Sequence, residues 1–195
     1  MNYLAHAYLS YNIPDILVGN LISDFVKGKK KFEYSAGIQK GIAIHRAIDQ
    51  YTDNHAITKI AREVFRPHYR LYAGAFVDVV YDHFLARDPE LFKAPPLLHF
   101  TEEVYRQTMP YLPELPAPFQ KMFPYMKEQN WLYHYQFREG MRKAFGGLVR
   151  RSTYLTESET AFSIFELHYD HLQQCYNHYF PQLVDHVFKE YGIGR

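Results

Sequence analysis

Gly37-Ile38-Gln39-Lys40-Gly41-Ile42-Ala43-Ile44-His45-Arg46-Ala47-Ile48-Asp49-Gln50-Tyr51-Thr52-Asp53 is the stretch that decides the fold class. At about 100° per residue, Ile38, Ile42, Ile44 and Ile48 share one arc of a helix, with Gln39, Arg46 and Gln50 opposite. His45 and Asp49 fall inside the apolar arc, four residues apart, so their side chains are neighbours. A carboxylate on a core-facing arc is costly unless it is paired or bound to a cation. Two arrangements satisfy it: a buried His–Asp hydrogen bond that ties helices together, or a metal site.

Working outward, helical periodicity dominates and no sustained alternating pattern appears. The spacing predicts helices over 2–10, 14–26, 35–53, 56–66, 68–87, 100–109, 116–128, 131–149 and 157–190. Pro14 suits a first helical turn and Ser35 a helix cap. Pro67 should separate or kink its neighbours, and Pro181 should break or bend the last helix. Loops are expected over 87–96 and 110–118. No repeat or linker divides the chain, so residues 1–195 read as a single all-α domain, a helical bundle.

A second helix repeats the anomaly. Phe76-Val77-Asp78-Val79-Val80-Tyr81-Asp82-His83-Phe84-Leu85-Ala86 is apolar nearly all round, as a central helix would be. Asp78 and Asp82 are four apart within it. Two buried carboxylates that close require a proton or positive charge, which a metal ion or a nearby Arg could supply. His6 lies among Leu4, Ala5, Ala7 and Leu9, and Asp24 shares a wheel face with Leu17 and Leu21. Four helices thus direct His or Asp inward. Helical bundles build metal sites from such facing side chains, and a His/carboxylate set suits Mn, Fe, Zn or Mg. No Glu-x-x-His pair occurs on these helices, which disfavours a carboxylate-bridged diiron centre.

Composition narrows the function. Lys and Arg number 22 against 21 Asp and Glu, a net charge of +1, which argues against non-specific nucleic-acid binding. One cysteine, Cys175, excludes a disulfide within the chain and fits a reducing compartment. The first residues show no basic leader, and no apolar run is long enough to cross a bilayer, so a cytoplasmic protein is expected. The 18 Tyr and 15 Phe read as core packing. His171, Cys175 and His178 share a helix face and read as structural.

The residues Asn2-Tyr3-Leu4-Ala5-His6, Gly19 to Gly28, Gly41 to Asp49 with Thr52-Asp53-Asn54, Asp78 to Leu85, Trp131-Leu132 and His168-Tyr169-Asp170 together resemble the acyl carrier protein phosphodiesterase family, in order and spacing over nearly the whole chain. That family is similar in turn to the HD-type metal phosphohydrolases, which use a His…His-Asp…Asp ligand pattern on an all-helical fold. Here Arg46 follows His45 where that pattern has Asp, so Asp24, Asp49 or Asp82 would replace the missing carboxylate.

The resemblance implies metal-dependent hydrolysis of the phosphodiester joining 4′-phosphopantetheine to a serine of holo-acyl carrier protein, with Mn²⁺ as the metal. It implies His6, Asp24, His45 and Asp82 as ligands, with Asp49 as a further ligand or as the partner orienting His45. Asp24 is also a candidate catalytic group, Arg46 would neutralise phosphoryl charge, and His83 would protonate the leaving serine. Acyl carrier proteins are acidic, so a basic docking surface is expected. Lys27, Lys29, Lys30 and Lys31 adjoin Asp24; Arg62, Arg66 and Arg70, and Arg142, Arg150 and Arg151, are further basic clusters. Rival readings are an HD-type phosphohydrolase of nucleotides or other small phosphate esters, and a non-catalytic helical metal-binding protein.

Overall fold

The computed structural model describes residues 1–193 and contains twelve α-helices and no strand among them. They are α1 (Tyr3–Tyr8), α2 (Pro14–Ile22), α3 (Ala36–Asn54), α4 (Ala56–Glu63), α5 (Arg66–Tyr69), α6 (Ala73–Ala86), α7 (Leu97–Thr108), α8 (Ala117–Glu128), α9 (Trp131–His134), α10 (Arg138–Arg151), α11 (Glu159–Leu167) and α12 (Tyr169–Tyr191). Short 3-10 turns at Ser23–Phe25, Gly28–Glu33, Arg70–Tyr72 and Met109–Glu114 fill several joints.

The all-α reading holds, and so do the signals at Pro14 and Ser35. Pro14 opens α2, and Ser35 caps α3 by accepting from the Ile38 amide at 3.3 Å. His55 ends α3 and starts α4, its Nδ1 accepting from the Ile57 amide. Helix α6 is the buried axle: α1, α4, α10 and α12 pack around it, and Phe76, Val77, Val80, Tyr81 and Leu85 have no exposed surface. The aromatic residues pack as expected, with Tyr81 stacked on Tyr179 at 5.1 Å and Phe65 on Phe76 at 5.7 Å. No helix among the described residues is long and apolar enough to cross a membrane.

Four long predicted helices are shorter or broken. Helix α2 stops at Ile22, and the chain tightens into the Ser23–Phe25 turn instead of continuing to residue 26. Arg70 takes a positive φ of 45°, which an α-helix does not accommodate, so α6 begins at Ala73 and not at residue 68. Phe137 is extended and separates α9 from α10. The last segment breaks at His168, whereas Pro181 sits inside an unbroken α12. Pro181 and Asn177, whose carbonyl loses its partner, are both exposed, so water can satisfy that carbonyl.

Helices α2 and α3 pack against each other more extensively than any other pair of elements among the described residues. Gly19 and Gly41 meet at their crossing: a Cβ on Gly19 would overlap the Ile38 carbonyl oxygen, and one on Gly41 the Ile16 carbonyl oxygen. Only glycine permits this approach, and it sets Asn20 of α2 directly against His45 of α3.

Candidate metal centre

Asn20 is fully buried and holds two imidazoles at once. Its backbone carbonyl accepts from His45 Nδ1 at 2.7 Å, and its side-chain Oδ1 lies 3.3 Å from His6 Nδ1. The surrounding bonds fix the proton positions. The Ser10 hydroxyl donates to the His6 carbonyl at 2.7 Å, so Ser10 Oγ accepts from Asn20 Nδ2 at 2.9 Å. Asn20 Oδ1 therefore faces His6, and His6 Nδ1 must donate. Both rings thus present Nε2 to the same space, stacked with centroids 3.8 Å apart. A hydrogen bond at the far ring nitrogen is the usual device that orients a metal-ligating histidine.

Asp49 closes the group. Its Oδ1 is 3.2 Å from His6 Nε2 and its Oδ2 3.1 Å from His45 Nε2. One ligand atom each from His6, His45 and Asp49 lies within 4.8 Å of the others, the one such group of three or more among the described residues. Burial, then the neighbouring His45 charge, hold the His6 imidazole down at about 4. Neutral and protonated at Nδ1, His6 turns an Nε2 lone pair toward a carboxylate, and that nitrogen has no hydrogen-bond partner. Two acceptors facing each other need a cation between them. Burial opposes charge on His45, but its hydrogen bonds to Asp24 and Asp49 outweigh it and hold it up at about 9. Burial likewise works against charge on Asp49, yet the bond from His45 keeps its carboxyl well below the ordinary range. Two imidazoles and a carboxylate suit a divalent first-row ion, so the residues present fit a metal.

His45 and Asp49 line a polar cleft of about 700 Å³ that also exposes Asp24, Lys27, Arg46 and Asp53, while His6 is buried. Asp24 does not face inward as the wheel predicts. Because α2 ends at Ile22, Asp24 rides the 3-10 turn to the rim; its side chain is 72% exposed. It still reaches His45 Nε2 at 3.3 Å, and that bond lowers its pKa. Arg46 lies at the mouth, its Nη2 donating to the Val26 carbonyl at 3.0 Å.

Asp82 and His83 lie elsewhere. Asp82 accepts from the Leu4 and Ala5 amides at 2.7 and 3.2 Å, capping α1 from across the core. Both its oxygens are engaged, so it is not brought to the His6–His45–Asp49 group. Burial raises its pKa to about 7 against those bonds. Asp78 is 3.1 Å from the Met1 ammonium, which also lies 3.5 Å from Asp49. Of the two carboxylates of α6, Asp78 thus meets the Met1 ammonium and Asp82 the amides that open α1.

His83 donates from Nδ1 to the Tyr135 carbonyl at 2.6 Å, and its Nε2 accepts from the Tyr169 hydroxyl at 3.0 Å. Burial holds it down at about 4, so at neutral pH it has no spare proton for a leaving group. An unfolded histidine titrates near 6.5. The resulting stability is fully present above pH 6.5 and is lost as pH falls through 4, on the order of 3 kcal/mol. Denaturant titrations at pH 7 and pH 4.5 are expected to show a smaller acid-side loss in His83→Gln than in the parent; equal losses would exclude this role. On α12, His171 Nε2 and Cys175 Sγ are 3.9 Å apart, and neither joins a ligand cluster.

Sequence reasoning missed Asn20. Its one signal was an amide between the apolar residues Gly19 and Leu21, and its decisive group, a backbone carbonyl, belongs to every residue.

Residues 1–183 match the family described as acyl carrier protein phosphodiesterase. Relatives carrying that name include one from Klebsiella pneumoniae subsp. pneumoniae, 36% identical over 94% of this chain and 96% of its own length. One from Yersinia enterocolitica is 35% identical, and one from Salmonella paratyphi A 32%, each with the same coverage. No solved structure matches the chain.

Proposed function

The chain belongs to the acyl carrier protein phosphodiesterase family, and from that premise we propose that it removes 4′-phosphopantetheine from holo-acyl carrier protein at the cleft lined by His45 and Asp49, with a divalent cation held by His6, His45 and Asp49. The observation that carries this reading is the unpartnered His6 Nε2 converging with His45 Nε2 on one carboxylate. When bound, a divalent ion supplies positive charge to a phosphoryl oxygen and makes a water more acidic; Mn²⁺ is the ion the family resemblance implies.

The chain's own groups do the rest. Asn20 fixes both imidazoles before substrate arrives. Arg46, anchored by one nitrogen to the Val26 carbonyl, keeps its other N–H groups for the phosphoryl oxygens, and Lys27 lines the same cleft. Charge placed where it develops on the reacting phosphate is the main source of catalysis in such reactions. Asp24, ionised at the rim beside His45, orients the attacking water. Serine and carrier protein remain outside the cleft, where Lys29 and Lys30 stand exposed and Lys31 half-buried on the Gly28–Glu33 turn and meet an acidic surface.

The test is the intact mass of holo-acyl carrier protein after incubation with the protein, once with EDTA and once with Mn²⁺. Apo carrier should appear only with Mn²⁺; holo carrier unchanged in both would refute the reading. Replacing Lys29, Lys30 and Lys31 together by Ala should lower kcat/KM for the carrier on the order of tenfold at low salt, and less at high salt. Stability should barely change, since none of the three side chains is buried. Unaltered turnover at low salt would move the docking surface elsewhere.

A further inference from the structure

A second cavity, of about 790 Å³, opens between α8, α9 and α10. Its walls include Tyr3, Phe25, Met122, Trp131, Tyr135 and Ala144. The polar atoms of that wall are already engaged. The Tyr3 hydroxyl lies 3.7 Å from Met122 Sδ, Asn2 Nδ2 donates to the Tyr135 hydroxyl at 2.8 Å, and Trp131 Nε1 donates to Gln129 at 3.0 Å. What remains facing inward is ring and methyl surface.

The lining also includes four cations, Lys121, Lys143, Arg150 and Arg151, all exposed, against one acid, Glu139, 3.9 Å from Lys143. Lys121 and Arg150 form no ion pair among the described residues. The cavity size is ordinary for a pocket that buries most of a small ligand. An apolar interior under a cationic mouth selects an amphiphile with an anionic head. A neutral lipid, or a chain whose only head is a thioester, would leave Lys121, Arg150 and Arg151 without a counter-charge.

We propose that this cavity binds a free long-chain fatty acid, its chain between α8, α9 and α10 and its carboxylate at Lys121, Lys143, Arg150 and Arg151. Such a ligand touches Phe25, and the next residue in the chain, Asp24, lines the polar cleft. The Ser23–Phe25 turn is thus a wall common to both cavities.

Trp131 is the chain's one tryptophan and lines the cavity, so its fluorescence reports occupancy directly. Dibrominated stearate, kept below its micelle concentration, should quench Trp131 saturably in the full-length protein. Its methyl ester should bind about tenfold more weakly or worse. Replacing Arg150 and Arg151 together by Gln should weaken the acid by about the same factor. Gly147→Leu should abolish quenching: the position lines the cavity, a Cβ there meets nothing closer than Arg150 Nη2 at 3.7 Å, and leaving glycine favours the helix. The proposal is overturned if quenching does not saturate, if acid and ester bind alike, if Gly147→Leu still binds, or if only a chain carried on the carrier's thioester quenches.

Discussion

His45→Ala should lose bound divalent cation and carrier hydrolysis together, with turnover down on the order of a thousandfold or more. The ring has no dispensable side: Nδ1 is fixed by the Asn20 carbonyl and Nε2 lies between Asp24 and Asp49. Removing it leaves two carboxylates and His6 without the group that gathers them. Asp49→Asn added to His45→Ala should cost little more, since members of one unit are strongly non-additive. Asp82→Asn is the informative control. It should lower stability by about 1–3 kcal/mol, because one of the Leu4 and Ala5 amides loses its acceptor, yet the folded variant should keep its metal. Circular dichroism first establishes that each variant is folded, and metal per protein is then measured beside release of phosphopantetheine. A folded His45→Ala protein with full metal, or a folded Asp82→Asn protein without any, would reverse the ligand assignment.

The second large effect is structural. Gly41→Ala should lower Tm by roughly 6–12 °C, the shift that about 3 kcal/mol produces in a domain of this size. Its Cβ would overlap the Ile16 carbonyl oxygen, and backbone cannot turn aside as a side chain can. Gly146→Ala in α10 is the matched comparison, with a Cβ meeting nothing nearer than Arg150 Nη1 at 3.5 Å. There the ordinary gain in helix propensity should raise Tm or leave it unchanged. Equal melting of the two variants would mean that α2 and α3 can part without penalty. Because Asn20 follows Gly19, any such parting would also pull the carbonyl from His45.

Periodicity made α3 and α6 legible, and with them the His45–Asp49 pair, because a four-residue spacing fixes neighbours whatever lies across from them. It failed where the answer lay across. A wheel shows that Asp82 points inward but not that the N-terminal turn of α1 waits there. Asp24 went astray because the wheel assumes an α-helix, and the chain changes pitch at Ser23. His83 lies next to Asp82 in sequence, but its ring is taken up by Tyr135 and Tyr169, which come from distant segments. Pro181 misled for a different reason: the rule against proline concerns a lost hydrogen bond, and at an exposed carbonyl water replaces it.

The Asp82 cap makes the first helix depend on a distant one. Helix α1 has six residues, far too few to hold a helix in water without packing, and its own Asn2 makes no capping bond. The carboxylate that completes its first turn belongs to α6, 78 residues away from Leu4. His6 therefore depends on the axle helix for its place, so the candidate cation site is a product of the whole fold. Amide exchange at Leu4 and Ala5 then follows release of α6 and not fraying of the chain's first residues.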